Sequence, residues 1–222
     1  MMADPVDSNA KARPEHRWPA TVATMLALAL YAVLPSDGHL IPPWIVAIVG
    51  ALALVPQIVV NPHRLNRETA WSRWFSIAFA AALALINQLY VVQTIIQLVD
   101  GQAKGGAVLL TALQVWLTNV IAFSLVYWEL DTGGPIARRT EGLRDDATVD
   151  FLFPQQANST GASIWRPGFV DYAYFSLSTM MAFSPTDVMP LTSRAKLIMG
   201  VEAFTGFVLL ALVISRGVNI LS

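Results

Sequence analysis

The chain has 222 residues, of which 55% are hydrophobic and only 13% are charged, whereas a soluble globular domain has about 25% charged residues. Its net charge of -1 argues against nucleic acid as a partner, because no broad basic surface is available to neutralise phosphates. The absence of cysteine excludes disulfides and cysteine-based metal sites.

The first 17 residues are polar, contain Pro5 and Pro14, and predict a disordered arm. Acidic and basic residues are then absent from long apolar tracts that each match a hydrocarbon core of about 30 Å. Four of these tracts carry no charge, namely Trp18–Ser36, Gly38–Pro62, Trp74–Val99 and Gly105–Trp128. A fifth tract, Leu197–Ser215, is interrupted only by Glu202. The tracts predict five transmembrane helices, three of them in a membrane region over residues 18–106.

A channel-like module is predicted over residues 107–222, with an outer helix at 107–130 and an extramembrane loop at 131–166. Residues 169–183 then form a shorter apolar stretch, and a helix of that length rises only about 22 Å, which cannot cross the bilayer. Polar residues 184–187 follow it, and irregular backbone is tolerated at membrane depth only where protein or water covers it. Residues 167–190 are therefore either an interfacial helix and turn or a re-entrant pore helix and filter, before an inner helix at 191–218.

The sequence of this segment resembles the pore of tetrameric potassium channels. Tyr174–Met181, Ala182–Asp187 and Met189–Thr192 correspond to the family patterns Y-F-S-x-x-T-L-T, T-V-G-Y-G-D and V-P-x-T. Glu202–Gly206 is similar to an E-A-x-T-G stretch in the inner helix of many bacterial channels. The whole chain also resembles bacterial membrane proteins of the pore-loop type. The resemblance implies an all-α membrane protein, with a re-entrant pore helix and filter loop, that assembles as a homotetramer, since one pore module cannot enclose a pore.

The candidate filter departs from the family pattern where that pattern matters most. Potassium filters need backbone carbonyls that point at the axis, and glycine permits the backbone that aims them. Here Ser184 and Thr186 replace both glycines, and Pro185 restricts its own backbone and that of Ser184. We therefore expect no strong selection of potassium over sodium. The pore and filter residues on which this expectation rests are Met181, Ala182, Phe183, Ser184, Pro185, Thr186 and Asp187.

The filter sequence leaves several roles open. The hydroxyls of Ser184 and Thr186 could form a polar constriction for hydrated inorganic cations, with Asp187 nearby, or Phe183 and Met181 could close the axis as a hydrophobic plug. The resemblance gives Asp187 a second role, in which it pins the filter to neighbouring helices. For the pair of methionines at 180 and 181, packing behind the filter is favoured over lining the pore.

Glu202 is the candidate inner-helix carboxylate, since an ionisable group inside a membrane helix usually faces the bundle interior or water. It is either a pore or vestibule carboxylate, with a proton-sensitive gate as one form, or a carboxyl buried against Ser178, Thr179 or a neighbouring subunit. Glu129 and Asp131 are expected to mark the water interface. The mid-membrane polar residues are expected to form interhelical hydrogen bonds at least as readily as a permeation path, and they are Asn87, Gln88, Gln114 and Asn119.

The distribution of basic residues predicts the orientation. All lysines and arginines except Lys104 and Arg216 fall on the side shared by the N-terminal arm, the second connection and the long loop. The positive-inside rule places this side in the cytoplasm, so that the pore loop enters from the cytoplasm if there are five spans. In potassium channels the pore loop instead enters from outside the cell. In glutamate receptors it enters from the cytoplasm, as expected here. A half-membrane hairpin among the first three segments would also reconcile the two.

No enzyme is predicted, because no catalytic constellation or phosphate-binding loop is visible and no cofactor is expected. The three histidines, at positions 16, 39 and 63, have no metal-ligand spacing. The first hypothesis is a channel-like homotetramer of the inner cell membrane, a multi-pass protein that is weakly selective for cations or gated closed. The second is a non-conducting structural or sensing protein of the same architecture. A transporter is the weaker third hypothesis, since no inverted repeat is visible.

Overall fold

The computed structural model describes residues 15–36, 39–60, 70–100, 107–140, 149–157, 165–181 and 188–221. Most of these residues are helical, in α1 (Trp18–Val33), α2 (Pro43–Val60), α3 (Ala70–Asp100), α4 (Ala107–Leu130), α5 (Ala137–Thr140), α6 (Pro154–Ala157), α7 (Phe169–Met181) and α8 (Ser193–Leu221). A 3-10 turn at Asp131–Gly133 follows α4. Strands β1 (Phe151–Leu152) and β2 (Met189–Pro190) form a small antiparallel pair, with Phe151 opposite Pro190.

Three helices in the described part of the chain are long and apolar enough to cross a membrane. Their apolar segments are Trp71–Val99 in α3, Leu109–Gly133 in α4 with the turn that follows it, and Ser193–Val218 in α8. Helices α1 and α2 are apolar but shorter. The long helices indicate a membrane protein, and the helical prediction is confirmed for these three spans.

Helix α4 lies at the centre of the bundle. It packs against α1, α3, α7 and α8, whereas α2 packs mainly on α1. Because neighbours surround it, side chains on several faces of α4 are buried, including those of the consecutive residues Ala122, Phe123, Ser124 and Leu125. Of the three long apolar helices in the described part of the chain, the one that the channel resemblance makes an outer helix is thus the most enclosed.

The turn after α4 fixes where the chain leaves the central helix. Thr132, Gly133 and Gly134 all have positive φ angles, of 48°, 77° and 98°. Glycine adopts this left-handed region without steric cost, and a helix very commonly ends on such a residue. Helix α4 ends at Leu130, just before this turn, in agreement with the outer helix predicted over residues 107–130.

Several basic side chains gather at one end of the bundle, which we call the basic end. Here Arg17 bonds to Gln57 near the end of α2, and the Arg73 guanidinium lies close to Gly133 after α4. Arg138 reaches the last carbonyls of α4 from the same side. At the opposite end, the final residues of α3 meet the start of α4 and the end of α8 in a cluster of Leu98, Leu109, Ala112, Leu212 and Val213.

Some element boundaries differ from the sequence-based expectations. The arm expected to be disordered over residues 1–17 is packed at its end, since Glu15 and Arg17 are both buried. Helix α3 begins at Ala70 instead of Trp74, so Arg73 belongs to its first turn. Glu129 and Asp131, expected at the water interface, are 9% and 1% exposed. The backbone of Asp150 and Phe151 in the long loop contacts the Asp131 carboxylate, whereas Glu129 lies near Arg17.

Candidate functional site

Helix α7 begins with two carboxylates at its N-terminus. The side chain of Asp171 accepts a hydrogen bond from the backbone N–H of Gly168, at 2.7 Å, in the manner of a capping box. Glu15, from the N-terminal arm, accepts another from the N–H of Phe169, also at 2.7 Å. Acidic groups are stabilising here because the first N–H groups of a helix have no intrahelical partner. The start of α7 is therefore fixed both by a residue of its own first turn, Asp171, and by Glu15, which lies 154 positions before Phe169 in the chain.

The start of α7 contacts the end of α4, and later residues of α7 contact positions nearer the middle of α4. Near its start, Phe169 packs edge-on against Trp128, with 5.8 Å between ring centroids. One turn further on, the Tyr172 hydroxyl donates to the carboxylate of Asp131. The Ser176 hydroxyl donates to the carbonyl of Val120, at 2.9 Å. Thus α7 starts at the basic end and runs antiparallel to α4 into the bundle.

The last turn of α7 lies at the level of the middle of two long helices. The Asn119 side-chain amide donates to the sulfur of Met180, at 3.1 Å. Gly206 of α8 touches the backbone of Met180, so closely that a methyl group on Gly206 would stand 2.9 Å from the Met180 Cα. Only a residue without Cβ allows this approach. With 13 residues, α7 rises about 20 Å and ends part-way between the two ends of the bundle.

The chain is next described at Val188, again at the basic end. Strand β2 pairs with β1 in the long loop, and the N–H of Leu191 donates to the carbonyl of Asp150, at 2.8 Å. The Asp150 carboxylate forms an ion pair with Arg194 and accepts a bond from Thr192. These contacts bring the chain after the candidate filter to the end of the bundle from which α7 starts.

The buried carboxylate of Asp131 holds the long loop to α4 and α7. One carboxylate oxygen of Asp131 accepts the N–H groups of Asp150 and Phe151, at 2.9 and 3.3 Å, while the other accepts the hydroxyl of Tyr172. Arg138 donates to the Asp131 carbonyl at 2.6 Å and lies 5.0 Å from the Tyr172 ring centroid. Asp131 is therefore a central structural residue, and no local sequence pattern identifies it as one.

Aromatic rings from the loop complete the cover over α7. Phe151 packs against Phe175 of α7 and Tyr127 of α4, with centroid distances of 5.0 Å in both cases. Phe153 packs edge-on against Tyr172, at 5.3 Å. The described part of the long loop is thus a packed layer on α7.

Glu202 joins three helices inside the bundle. It is fully buried, and its two carboxyl oxygens contact the hydroxyls of Tyr127 on α4 and Ser176 on α7. The partners expected from the sequence were Ser178 and Thr179, but their hydroxyls instead donate to carbonyls one turn back in α7. Glu202 therefore occupies a hydrogen-bonded packing position between α4, α7 and α8.

A second polar cluster lies at mid-helix depth between α1, α3 and α4. Tyr31 of α1 donates to the side chain of Asn87, at 2.9 Å, and Asn87 donates to Asn119, at 2.8 Å. Thr118 also donates to Asn87, at 2.7 Å. Tyr31, Asn87 and Asn119 are all nearly or fully buried, so interhelical hydrogen bonds account for these polar groups in an apolar bundle.

This cluster continues to α7 and α8. Besides its bond to Met180, Asn119 accepts the side chain of Gln88, at 2.9 Å. Thr205 of α8 donates to Gln88 at 3.1 Å. Helices α1 and α3, which the channel resemblance does not cover, are therefore connected to the end of α7 and to α8 through hydrogen bonds.

The candidate filter itself is the part of the site for which position is not described. Ala182, Phe183, Ser184, Pro185, Thr186 and Asp187 lie outside the described residues. Met181, just before them, is 47% exposed, whereas Met180 is fully buried. Among the described residues, Met180 thus packs in the interior of the bundle and Met181 does not. Among the described residues, no group of three or more His, Asp or Glu side chains could hold a metal ion.

Within the part of the chain that the structure describes, helices α7 and α8 each expose an apolar surface. On α7 it includes Val170, Tyr174 and Met181, and on α8 it includes Leu197, Val201, Phe204 and Phe207. Such a surface meets lipid or another protein surface in a membrane.

Comparison of the chain with protein-family models, with curated proteins and with solved structures found no match.

Proposed function

We propose that this chain is one subunit of a channel-like homotetramer in which α7 and residues 182–187 form a re-entrant pore helix and filter loop. The observation that carries the proposal is the path of α7. It starts beside Trp128 and Asp131 at the basic end, it ends against Asn119 and Gly206, and β2 lies at the basic end again. A half-membrane helix followed by a return to the same side is the geometry of a pore loop.

The proposed subunit crosses the inner cell membrane five times. Helices α1 and α2, with 16 and 18 residues, rise about 24 and 27 Å, which suits a locally thinned bilayer or flanking residues that extend the span. The basic end faces the cytoplasm, because it holds most of the lysines and arginines. The pore loop then enters from the cytoplasmic side.

Several copies are needed because one subunit encloses no axis. The uncovered apolar surface of α7 and α8 supports this, since it lies on the helices that line the axis in the proposed assembly. On the far side, α4 and the polar cluster hold α7 in place. The fixed side of α7 thus faces its own subunit and the open side faces the axis and the neighbouring copy.

The proposed channel passes inorganic cations and selects only weakly among them. The replacement of both filter glycines by Ser184 and Thr186 removes the backbone freedom that a stacked carbonyl filter requires. The same replacement favours the second candidate, a non-conducting structural or sensing protein that retains the architecture. In that protein, the bonds of Asn87, Asn119 and Glu202 serve packing alone.

Ion flux from liposomes distinguishes these two functions. We expect the purified full-length chain to pass potassium and sodium at comparable rates and to exclude chloride. The triple variant Ser184→Gly, Pro185→Tyr, Thr186→Gly is expected to favour potassium over sodium, because its filter then permits the carbonyl ladder. Gly217→Ala serves as a control, since a methyl group there meets open space at the other end of α8.

The outcome that contradicts a channel is equally specific. If neither the wild-type chain nor the triple variant passes cations, the non-conducting alternative stands. If chloride passes as fast as potassium, the protein is not a cation channel and the proposal is contradicted. Imaging of the complex purified in detergent supplies a second test, because the proposal requires four-fold symmetry.

A further inference from the structure

A chain of hydrogen bonds links α1 to the last turn of α7 across α3 and α4. The Tyr31 hydroxyl of α1 donates to the side-chain oxygen of Asn87, at 2.9 Å. The Asn87 amide donates to the side-chain oxygen of Asn119, at 2.8 Å, and the Asn119 amide donates to the sulfur of Met180, at 3.1 Å. Two side-chain amides thus connect α1 to the end of α7.

The direction of this chain of bonds is fixed at its α7 end. The thioether of Met180 carries no proton and can only accept, so the NH2 group of Asn119 must face it. The Asn119 oxygen then faces α3, where it accepts the side-chain amides of Asn87 and Gln88, at 2.8 and 2.9 Å. An Asn119 amide rotated by half a turn would set its NH2 group against two other NH2 donors and lose all three bonds.

The orientation of the Asn87 amide depends in turn on α1. Its oxygen accepts the hydroxyls of Tyr31 and Thr118. The Thr118 hydroxyl has one proton and also contacts the carbonyls of Gln114 and Val115 in its own helix, at 3.0 and 2.9 Å. Tyr31 is therefore the donor from another helix that holds the Asn87 oxygen towards α1 and leaves the Asn87 NH2 group for α4.

We infer that Tyr31 is a positioning residue, through which α1 sets the orientation of Asn119 and hence the position of the last turn of α7. Tyr31, Asn87, Asn119 and Met180 are all at most 1% exposed, and a buried polar group that loses its partner costs more than the bond contributed. Loss of the first donor therefore reorients the amides that follow it. In the proposed channel this turn carries the filter segment, so α1 contributes to the geometry of the filter, and that consequence alone rests on the proposed function.

Hydrogen exchange of the full chain in detergent tests this link, by comparing the backbone amides of residues 178–181 with those of residues 173–175 nearer the start of α7. Tyr31→Phe keeps the ring and removes the hydroxyl. It is expected to raise exchange at residues 178–181 about fivefold, the loss of one ordinary hydrogen bond expressed as an opening equilibrium. Exchange at residues 173–175 is expected to stay unchanged, because the bond between Tyr172 and Asp131 holds that part of α7.

Tyr90→Phe is the matched control. Tyr90 is as deeply buried as Tyr31, and the two ring centroids are 5.5 Å apart. Its hydroxyl donates to the backbone carbonyl of Ile41, outside the chain of bonds that leads to α7. The same chemical change at Tyr90 is therefore expected to leave exchange at residues 178–181 as it is in the wild-type chain.

Met180→Leu supplies a second comparison, because it keeps an apolar side chain of similar size and removes the sulfur acceptor. Separate packing effects of Tyr31→Phe and Met180→Leu would multiply in the double variant. The linked chain of bonds instead predicts that Tyr31→Phe has no further effect at residues 178–181 once Met180 is replaced.

Four results overturn the inference. They are no rise at residues 178–181 in Tyr31→Phe, a uniform rise along α7, an equal rise in Tyr90→Phe, and effects that multiply in the double variant. Ion flux plays no part in this measurement, so its outcome is independent of whether the protein conducts.

Discussion

Gly206→Ala is expected to destabilise the protein by about 1–3 kcal/mol, the usual cost of forcing extra volume into a packed interior. The added methyl group would meet the carbonyl oxygen of Met180 and lie 2.9 Å from its Cα. These are backbone atoms in the last turn of α7, so they cannot rotate away as a side chain would. Helices α7 and α8 would have to separate. Thermal unfolding of the purified protein in detergent, followed by tryptophan fluorescence, measures the effect.

Gly200→Ala provides the matched control on the same helix. A methyl group at Gly200 has no heavy atom within 4 Å, and alanine is favoured over glycine in a helix by up to about 1 kcal/mol. We therefore expect this variant to be neutral or more stable, with the opposite sign from Gly206→Ala. If both substitutions give the same change, α7 does not rest on α8 at Gly206, and the half-depth position of α7 loses its main support.

Glu202→Ala is expected to cost about 3–5 kcal/mol, because it opens a cavity and leaves the buried Tyr127 hydroxyl without its acceptor. Glu202→Gln is expected to cost less than about 1.5 kcal/mol, the value of one ordinary hydrogen bond. The Ser176 hydroxyl has one proton and contacts two acceptors, the carboxyl and the Val120 carbonyl. All contacts are satisfied if position 202 itself donates to Ser176, and the amide of glutamine can do so.

The Glu202 variants also decide between the two roles that the sequence left open. A double-mutant cycle of Glu202→Gln with Tyr127→Phe measures the coupling across α4 and α8, and residues in contact should show a coupling energy of about 0.5–3 kcal/mol. A carboxylate that works as a charge in an aqueous vestibule would instead make Glu202→Gln as damaging to flux as Glu202→Ala, with no coupling to Tyr127. That result would contradict the packing position described here.

The spans could be predicted from sequence because their cause is local. A membrane helix must carry a long uncharged tract, and α4 follows the predicted outer helix at both ends. Helix α3 starts four residues early, at Ala70, because Arg73 is tolerated in a first turn at the basic end. The end of α4 was similarly visible, since Gly133 and Gly134 take up the left-handed turn.

The residues that hold α7 could not be predicted, because their partners are remote in the chain. Glu15 bonds to Phe169, 154 positions away, and Asp131 bonds to Tyr172, 41 positions away. A charged residue close to a tryptophan at a helix end normally indicates the water interface. Asp131 is buried because the folded loop contacts it, and Glu15 lies against Trp128 and Phe169. Glu15 lies three positions before the first residue of α1, whose own start has no side-chain cap. An acidic residue in such a position is too common to indicate that it contacts α7.

The polar residues within the spans were partly predictable. Interhelical hydrogen bonding was one of two roles considered for Asn87, Gln88 and Asn119, and their side chains form such bonds. Which helices they join depends on packing that periodicity does not specify. The filter prediction for residues 182–187 stays a prediction, because these residues lie outside the described part of the chain.

Whether the chain enters and leaves the membrane on one side is tested most directly by cysteine accessibility, since the native chain has no cysteine. Single cysteines at Ala157, before α7, and at Ser193, after the candidate filter, are labelled with an impermeant reagent in sealed vesicles. Both positions are exposed, and a third cysteine at Gly101, between α3 and α4, marks the other side. We predict that positions 157 and 193 react from the same face and position 101 from the opposite face. Labelling of positions 157 and 193 from opposite faces would contradict the re-entrant path and, with it, the channel-like subunit.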